Sequence, residues 1–142
     1  MSLLRGIACG SNPYDTTHQR GKIGSAMQLY EWDQIEKEQL SPTFARQVIH
    51  GDSITVARVY LRKGCFVPEH SHHNEQISMM EEGRLKFAIG GVEKVLAAGE
   101  VVRIPPHVPH SAEALDDCVA VDIFSPPRED WKRGDDAYLR GK

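Results

Sequence analysis

Between residues 44 and 124 the chain alternates short runs of Val, Ile, Tyr and Phe with turn residues, as in residues 53–62, 77–81, 84–89 and 119–124. Runs this short with a two-residue period read as strands, because successive side chains on a strand point to opposite faces. The turn signals between them are His50-Gly51-Asp52, Glu82-Gly83, Gly90-Gly91 and Ala98-Gly99. Connections of this length join antiparallel strands and leave no room for the crossover helices of a parallel sheet. The pattern predicts an all-β core, a sandwich or small barrel. Residues 31–40, rich in Glu, Gln and Lys and closed by Ser41-Pro42, predict one short helix. Residues 1–26 carry Gly, Ser, Asn and Pro without apolar periodicity and predict a mostly irregular N-terminal arm, with residues 27–142 as a single domain. The charged tail from Pro126 onward predicts a surface segment.

Composition narrows the classes of function. A chain of 142 residues with 40% hydrophobic and 26% charged residues is ordinary for one soluble domain. Its 17 Lys and Arg against 20 Asp and Glu give a net charge of −3, so there is no basic excess with which to bind nucleic acid. No apolar run exceeds four residues, which predicts neither a membrane span nor a signal-peptide core and makes the cytoplasm the expected location. Cys9, Cys65 and Cys118 are few and scattered, a pattern of reduced structural thiols and not of a disulfide framework or a CxxC metal site.

Five of the seven histidines fall in two short stretches, His70, His72 and His73 in one, His107 and His110 in the other. On an extended strand His70 and His72 share a face and can converge on a metal ion. Gln76 can reach the same point if the chain turns at His73-Asn74, and His110 can join from another strand. Neutral imidazoles with one oxygen donor suit Zn, Ni, Mn or Fe and disfavour calcium. An isolated His-x-His pair is as readily a solvated surface run. Glu75 is a rival to Gln76 but alternates to the other side of a strand. His73 and His107 read as rim or surface residues, and His18 and His50 have no local context.

The wider spacing resembles the two motifs of the cupin superfamily. Gly64, His70, His72, Gln76 and Gly83 match G-x5-HxH-x3-Q-x6-G, and Gly99, Pro105 and His110 match G-x5-P-x4-H. The resemblance covers residues 44–128 and implies a double-stranded β-helix, the jelly-roll barrel. It implies one divalent metal ion per chain (Ni, Zn, Mn or Fe) on His70, His72, Gln76 and His110. Three departures stand out: Gln76 where many cupins have Glu, His107 where the second motif usually has Gly, and Ala114 where it usually has Asn. A neutral amide in place of the carboxylate argues against simple redox use of a two-histidine, one-carboxylate iron site.

Towards the end, residues 119–124 alternate Val119, Val121 and Ile123 on one face with Ala120, Asp122 and Phe124 on the other. An Asp within such a run needs a partner if buried, and Arg128 is the nearest candidate, so an Asp122–Arg128 pair that pins the barrel end is one reading. The other comes from a closer resemblance, to the pectin-degradation cupins of the KdgF family. It rests on the HxH-x3-Q site, the Val108-Pro109-His110 turn and the stretch from Asp122 to Asp130. That resemblance implies catalytic roles for Asp122, Phe124 and Arg128 and the conversion of cyclic 4,5-unsaturated monouronates, from pectin or alginate, to linear ketonized sugar acids. On it Arg128 clamps the sugar carboxylate bidentately, Phe124 walls the ring, and Asp122 transfers a proton. Arg58 and Tyr60 share a strand face and either line the mouth or are solvated. The expected partners are a small-molecule sugar acid and a second copy of the chain, in a homodimer packed through β-sheet faces. The alternatives are a metal-dependent cupin dioxygenase or lyase on another small molecule, and a metabolite-binding cupin without catalysis.

Overall fold

The computed structural model describes residues 26–141, and the chain divides into two units, Met1–Glu36 and Lys37–Lys142. All of the predicted arm but its last residue, with Cys9 and His18, lies outside the described residues. Within the first unit, Trp32–Gln34 form one turn of 3-10 helix.

The second unit is two antiparallel sheets. Ten strands run in chain order: β1 (Glu38–Ser41), β2 (Phe44–His50), β3 (Thr55–Leu61), β4 (Phe66–His70), β5 (Glu75–Glu82), β6 (Leu85–Ile89), β7 (Val92–Leu96), β8 (Val101–Ile104), β9 (His110–Ala114) and β10 (Cys118–Ser125). The six-stranded sheet has the order β1-β2-β3-β10-β5-β8, and the four-stranded sheet β4-β9-β6-β7. The predicted all-β core is borne out. In β3, Thr55, Ala57, Val59 and Leu61 are buried and the residues between them half-buried, the two-residue period read from the sequence. β10 pairs with β3 and β5 so that Ala120, Asp122 and Phe124 lie level with Val59, Ala57 and Thr55 and with Met80, Ser78 and Gln76. The interior between the sheets is filled by Phe44, Leu61, Val67, Leu85, Phe87, Ile104 and Phe124, each contributing about 1.5–3 kcal/mol by leaving water.

Two expectations are corrected. The helix over residues 31–40 is reduced to the Trp32–Gln34 turn, and Glu38–Ser41 is a strand. The helix-forming side chains are overruled by a hairpin: β1 pairs with β2, Ser41 opposite Phe44, and buries Leu40. The tail is not a surface segment. It forms one helical turn, α1 (Glu129–Lys132), and one 3-10 turn (Ala137–Leu139), and buries Arg128, Trp131, Asp136 and Leu139. Trp131 lies between two guanidiniums, Arg46 at 4.4 Å and Arg128 at 4.3 Å from its ring, so a polar-looking stretch is held by cation–π contacts and ion pairs. Cys65 and Cys118 are free and buried, as expected, and burial pushes both thiols up.

Candidate metal centre

Paired strands bring the histidines together. His70 ends β4 directly opposite His110 at the start of β9, and His72 follows in the turn into β5. The ring centroids lie 4.3 Å apart for His70–His110, 4.9 Å for His72–His110 and 5.8 Å for His70–His72. One nitrogen from each lies within 4.8 Å of the others.

The hydrogen bonds decide which nitrogen that is. His70 Nδ1 bonds the Pro68 carbonyl at 2.8 Å, His72 Nδ1 the Asn74 carbonyl at 3.0 Å, and His110 Nδ1 the Val108 carbonyl at 2.8 Å. A carbonyl only accepts, so each Nδ1 carries the proton and each Nε2 is left as a lone pair. His110 Nε2 is buried without a hydrogen-bond partner. Desolvation keeps the rings neutral: burial pushes His70 and His72 down to about 4 and lowers His110 as well.

Gln76 joins them from β5. Its Oε1 lies 3.1 Å from His72 Nε2, while its Nε2 donates to Ser78 Oγ at 2.9 Å. Ser78 in turn donates its only proton to Asp122 Oδ1 at 2.6 Å, which orients the Gln76 amide with oxygen inward. Two acceptors facing at hydrogen-bond distance is the arrangement of two ligands around one cation. The residues present therefore fit a divalent ion bound by three imidazoles and an amide oxygen, with the carbonyls and Ser78 fixing the ligands from behind.

His70 and His110 line a cavity of about 60 Å³ with Gln76, Asp122, Phe124, Arg128, Trp131 and Tyr138 along its wall. Desolvation by burial raises Asp122 to about 6, opposed by the Ser78 hydrogen bond and by the charge of Arg128. Asp122 and Arg128 do not pair: Arg128, 2% exposed, closes Nε and Nη2 on Asp130 at 2.9 and 2.8 Å and gives Nη2 to the Tyr138 hydroxyl at 2.7 Å. That overturns both the Asp122–Arg128 pin and the bidentate grip on a sugar, since the fork is already filled. Phe124, also 2% exposed, sets its ring edge-on to His72 and Trp131 and lies 4.7 Å below the Arg128 guanidinium.

Other residues fall as follows. Glu75 turns outward to Arg103 and His73 is exposed, as the alternation predicts, and His107 is exposed in its turn, as its rim or surface reading expects. His107 has φ 64°, the left-handed backbone that explains the glycine usual at that place in the second motif. Arg58 and Tyr60 lie away from the cavity; Arg58 pairs with Glu81, and Tyr60 donates to Gln47 at 2.6 Å. Three polar groups escaped the sequence reading. Ser78 had one signal, its parity with Gln76 on β5. Asn74, buried, donates to the carbonyls of Pro126 and Pro127, and Thr55 Oγ1 accepts the Arg128 backbone N–H at 2.9 Å. Both tie the ligand turn or β3 to the Arg128 segment across long stretches of sequence, so no local pattern marks them.

A cupin domain model matches residues 57–124. An RmlC-like cupin from Shewanella frigidimarina is 31% identical over 75% of this chain and 96% of its own, with a TM-score of 0.70. The chain belongs to the cupin family. KdgF from a Halomonas species shares the fold at 24% identity over 75% of this chain and 99% of that one, with a TM-score of 0.71. Bacillus subtilis oxalate decarboxylase, which holds Mn(II) centres, aligns at 15% identity over 68% of this chain and 29% of its own, with a TM-score of 0.61. No curated protein sequence matches the chain.

Proposed function

We propose that this cupin is a metal-dependent enzyme that converts cyclic 4,5-unsaturated monouronates to linear ketonized sugar acids. The observation that carries the reading is a cavity lined by His70 and His110 of the three-imidazole cluster that also holds a carboxylate raised to about 6 and a buried arginine. The fold shared with KdgF supports the same substrate class.

The reaction is a net isomerisation. The anomeric O–H loses its proton, the ring C–O bond breaks to leave an aldehyde, and the enol oxygen released becomes a ketone as a ring carbon of the double bond takes a proton. No electrons enter or leave. His70, His72, Gln76 and His110 would hold the metal, which when bound supplies a Lewis acid for sugar oxygens. Asp122 accepts the proton from the anomeric hydroxyl and returns one to carbon. A carboxyl near 6 has both forms available at neutral pH, which suits a group that must take and give. Ser78 holds that carboxylate in place, Arg128 offers its charge to the substrate carboxylate, and the Phe124 and Trp131 rings exclude water behind it.

Incubation of the purified protein with unsaturated galacturonate, and separately with unsaturated mannuronate or guluronate monomer, tests this through loss of the double-bond absorbance. Metal-dependent loss without oxygen uptake is expected. Oxygen consumption with the iron-loaded protein and an unchanged uronate spectrum would point to the dioxygenase alternative.

A further inference from the structure

A guanidinium grips a carboxylate bidentately either side-on, through Nε and one Nη, or end-on, through both Nη atoms, and in Arg128 the side edge is closed on Asp130. Nη2 also serves Tyr138, so of the three guanidinium nitrogens only Nη1 is without such a partner. Arg128 therefore meets a ligand end-on with one nitrogen. A carboxylate has two oxygens to satisfy, and a second donor is needed.

Tyr138 can supply it. Its oxygen accepts from the guanidinium, which takes nothing in return, so the phenolic O–H is still available to donate. Its ring packs on His70, centroids 4.5 Å apart, and forms part of the cavity wall. The cavity of about 60 Å³ has room for roughly two waters, so any larger ligand that reaches the imidazoles touches this wall. A six-carbon sugar acid has about twelve non-hydrogen atoms and must extend beyond the chamber. Tyr138 also lines the groove outside, of about 470 Å³, with Phe66, Pro68, Ala137 and Gly141. It thus lines both. Its place is held from both sides: Leu139 is buried, and Asp136, 0% exposed, pairs with Arg46 and Arg140.

We propose that Tyr138 is a specificity-determining residue whose hydroxyl, together with Nη1 of Arg128, binds the carboxylate of an acid seated at the three-histidine centre. The choice of acid rests on the uronate reading above; the donor pair itself does not. The test is calorimetric titration of the metal-loaded full chain with galacturonate and with galactose, which differ in the carboxylate at C6. Tyr138→Phe keeps the ring and removes the donor. It is expected to weaken galacturonate about tenfold and to leave galactose affinity, metal content and melting temperature as in wild type. Unchanged galacturonate affinity, an equal loss for both sugars, or wild-type protein that binds no galacturonate would overturn the proposal. So would a fall in metal content or melting temperature that accounts for the loss, since Tyr138 would then belong to the scaffold. Failure of ring opening on unsaturated galacturonate, by contrast, removes the proposed reaction and leaves a Tyr138 binding effect standing.

Discussion

At His70, His72 and His110 one repeated contact, Nδ1–H to a main-chain carbonyl, turns three ordinary imidazoles into three inward lone pairs. Protein carrying both His70→Ala and His110→Ala is expected to lose stoichiometric metal in elemental analysis; full retention would move the site elsewhere. Asp122 makes a different statement, about pH. Its native value of about 6 exceeds the ordinary 3.8, so between those values the folded chain holds a proton that the unfolded chain has released. Stability from this group therefore falls as pH rises from 4 to 6 and stays low above that. In chelator-treated protein Asp122→Asn should be more stable than wild type at pH 7 by about 3 kcal/mol in urea denaturation, and the gain should vanish near pH 4. The same variant, metal-loaded, should keep its ion and lose about 10²–10⁴ in ring-opening rate. A stable, metallated variant with near wild-type rate removes Asp122 from the mechanism.

Among the elements, the turns and the tail carry the strain. Gly83, in the turn between β5 and β6, has φ 77°, and a Cβ there would run into the Asp117 carbonyl oxygen and press on Cys118 Sγ. Gly99 has φ 87° but open space around it. Gly99→Ala is expected to cost about 1 kcal/mol, from backbone strain alone, and Gly83→Ala distinctly more, since backbone must move; urea denaturation of both checks the order. The tail is pinned by Asp136, which bonds Arg46, 3% exposed, and Arg140. Asp136→Ala leaves the buried guanidinium with Glu38 alone at 3.4 Å and is expected to destabilise by about 3 kcal/mol or more. Loss of activity before loss of the barrel, followed by melting and turnover on one preparation, would show that the tail closes the site.

On the scale of the molecule, the outer face of the six-stranded sheet sets Ile77 and Met79 of β5 beside Val121 and Ile123 of β10, with Val101 of β8 60% exposed. An apolar face of this kind is suited to a second copy. We expect a homodimer through it, read as twice the chain mass by light scattering at tens of micromolar, and monomers from Val121→Lys. A monomeric wild type rejects the assembly.

The candidate metal ligands were legible because their spacing is: two-residue spacing puts His70 and His72 on one side, and motif distances bring in Gln76 and His110. Strand parity alone turned Asp122 and Phe124 inward, because alternation is a property of the backbone and needs no partner. What depended on distant pairing was not legible. Ser78 meets Asp122 across 44 residues and Arg46 meets Asp136 across 90, contacts that no window of sequence contains. Residues 38–41 look helical by composition and are a strand because β2 offers them a ladder and a place to bury Leu40. Arg128 looks like an open clamp until the fold shows Asp130 in its fork and Tyr138 against its end. Periodicity and spacing determine which residues can face the interior; only the packed chain decides which of them are already taken.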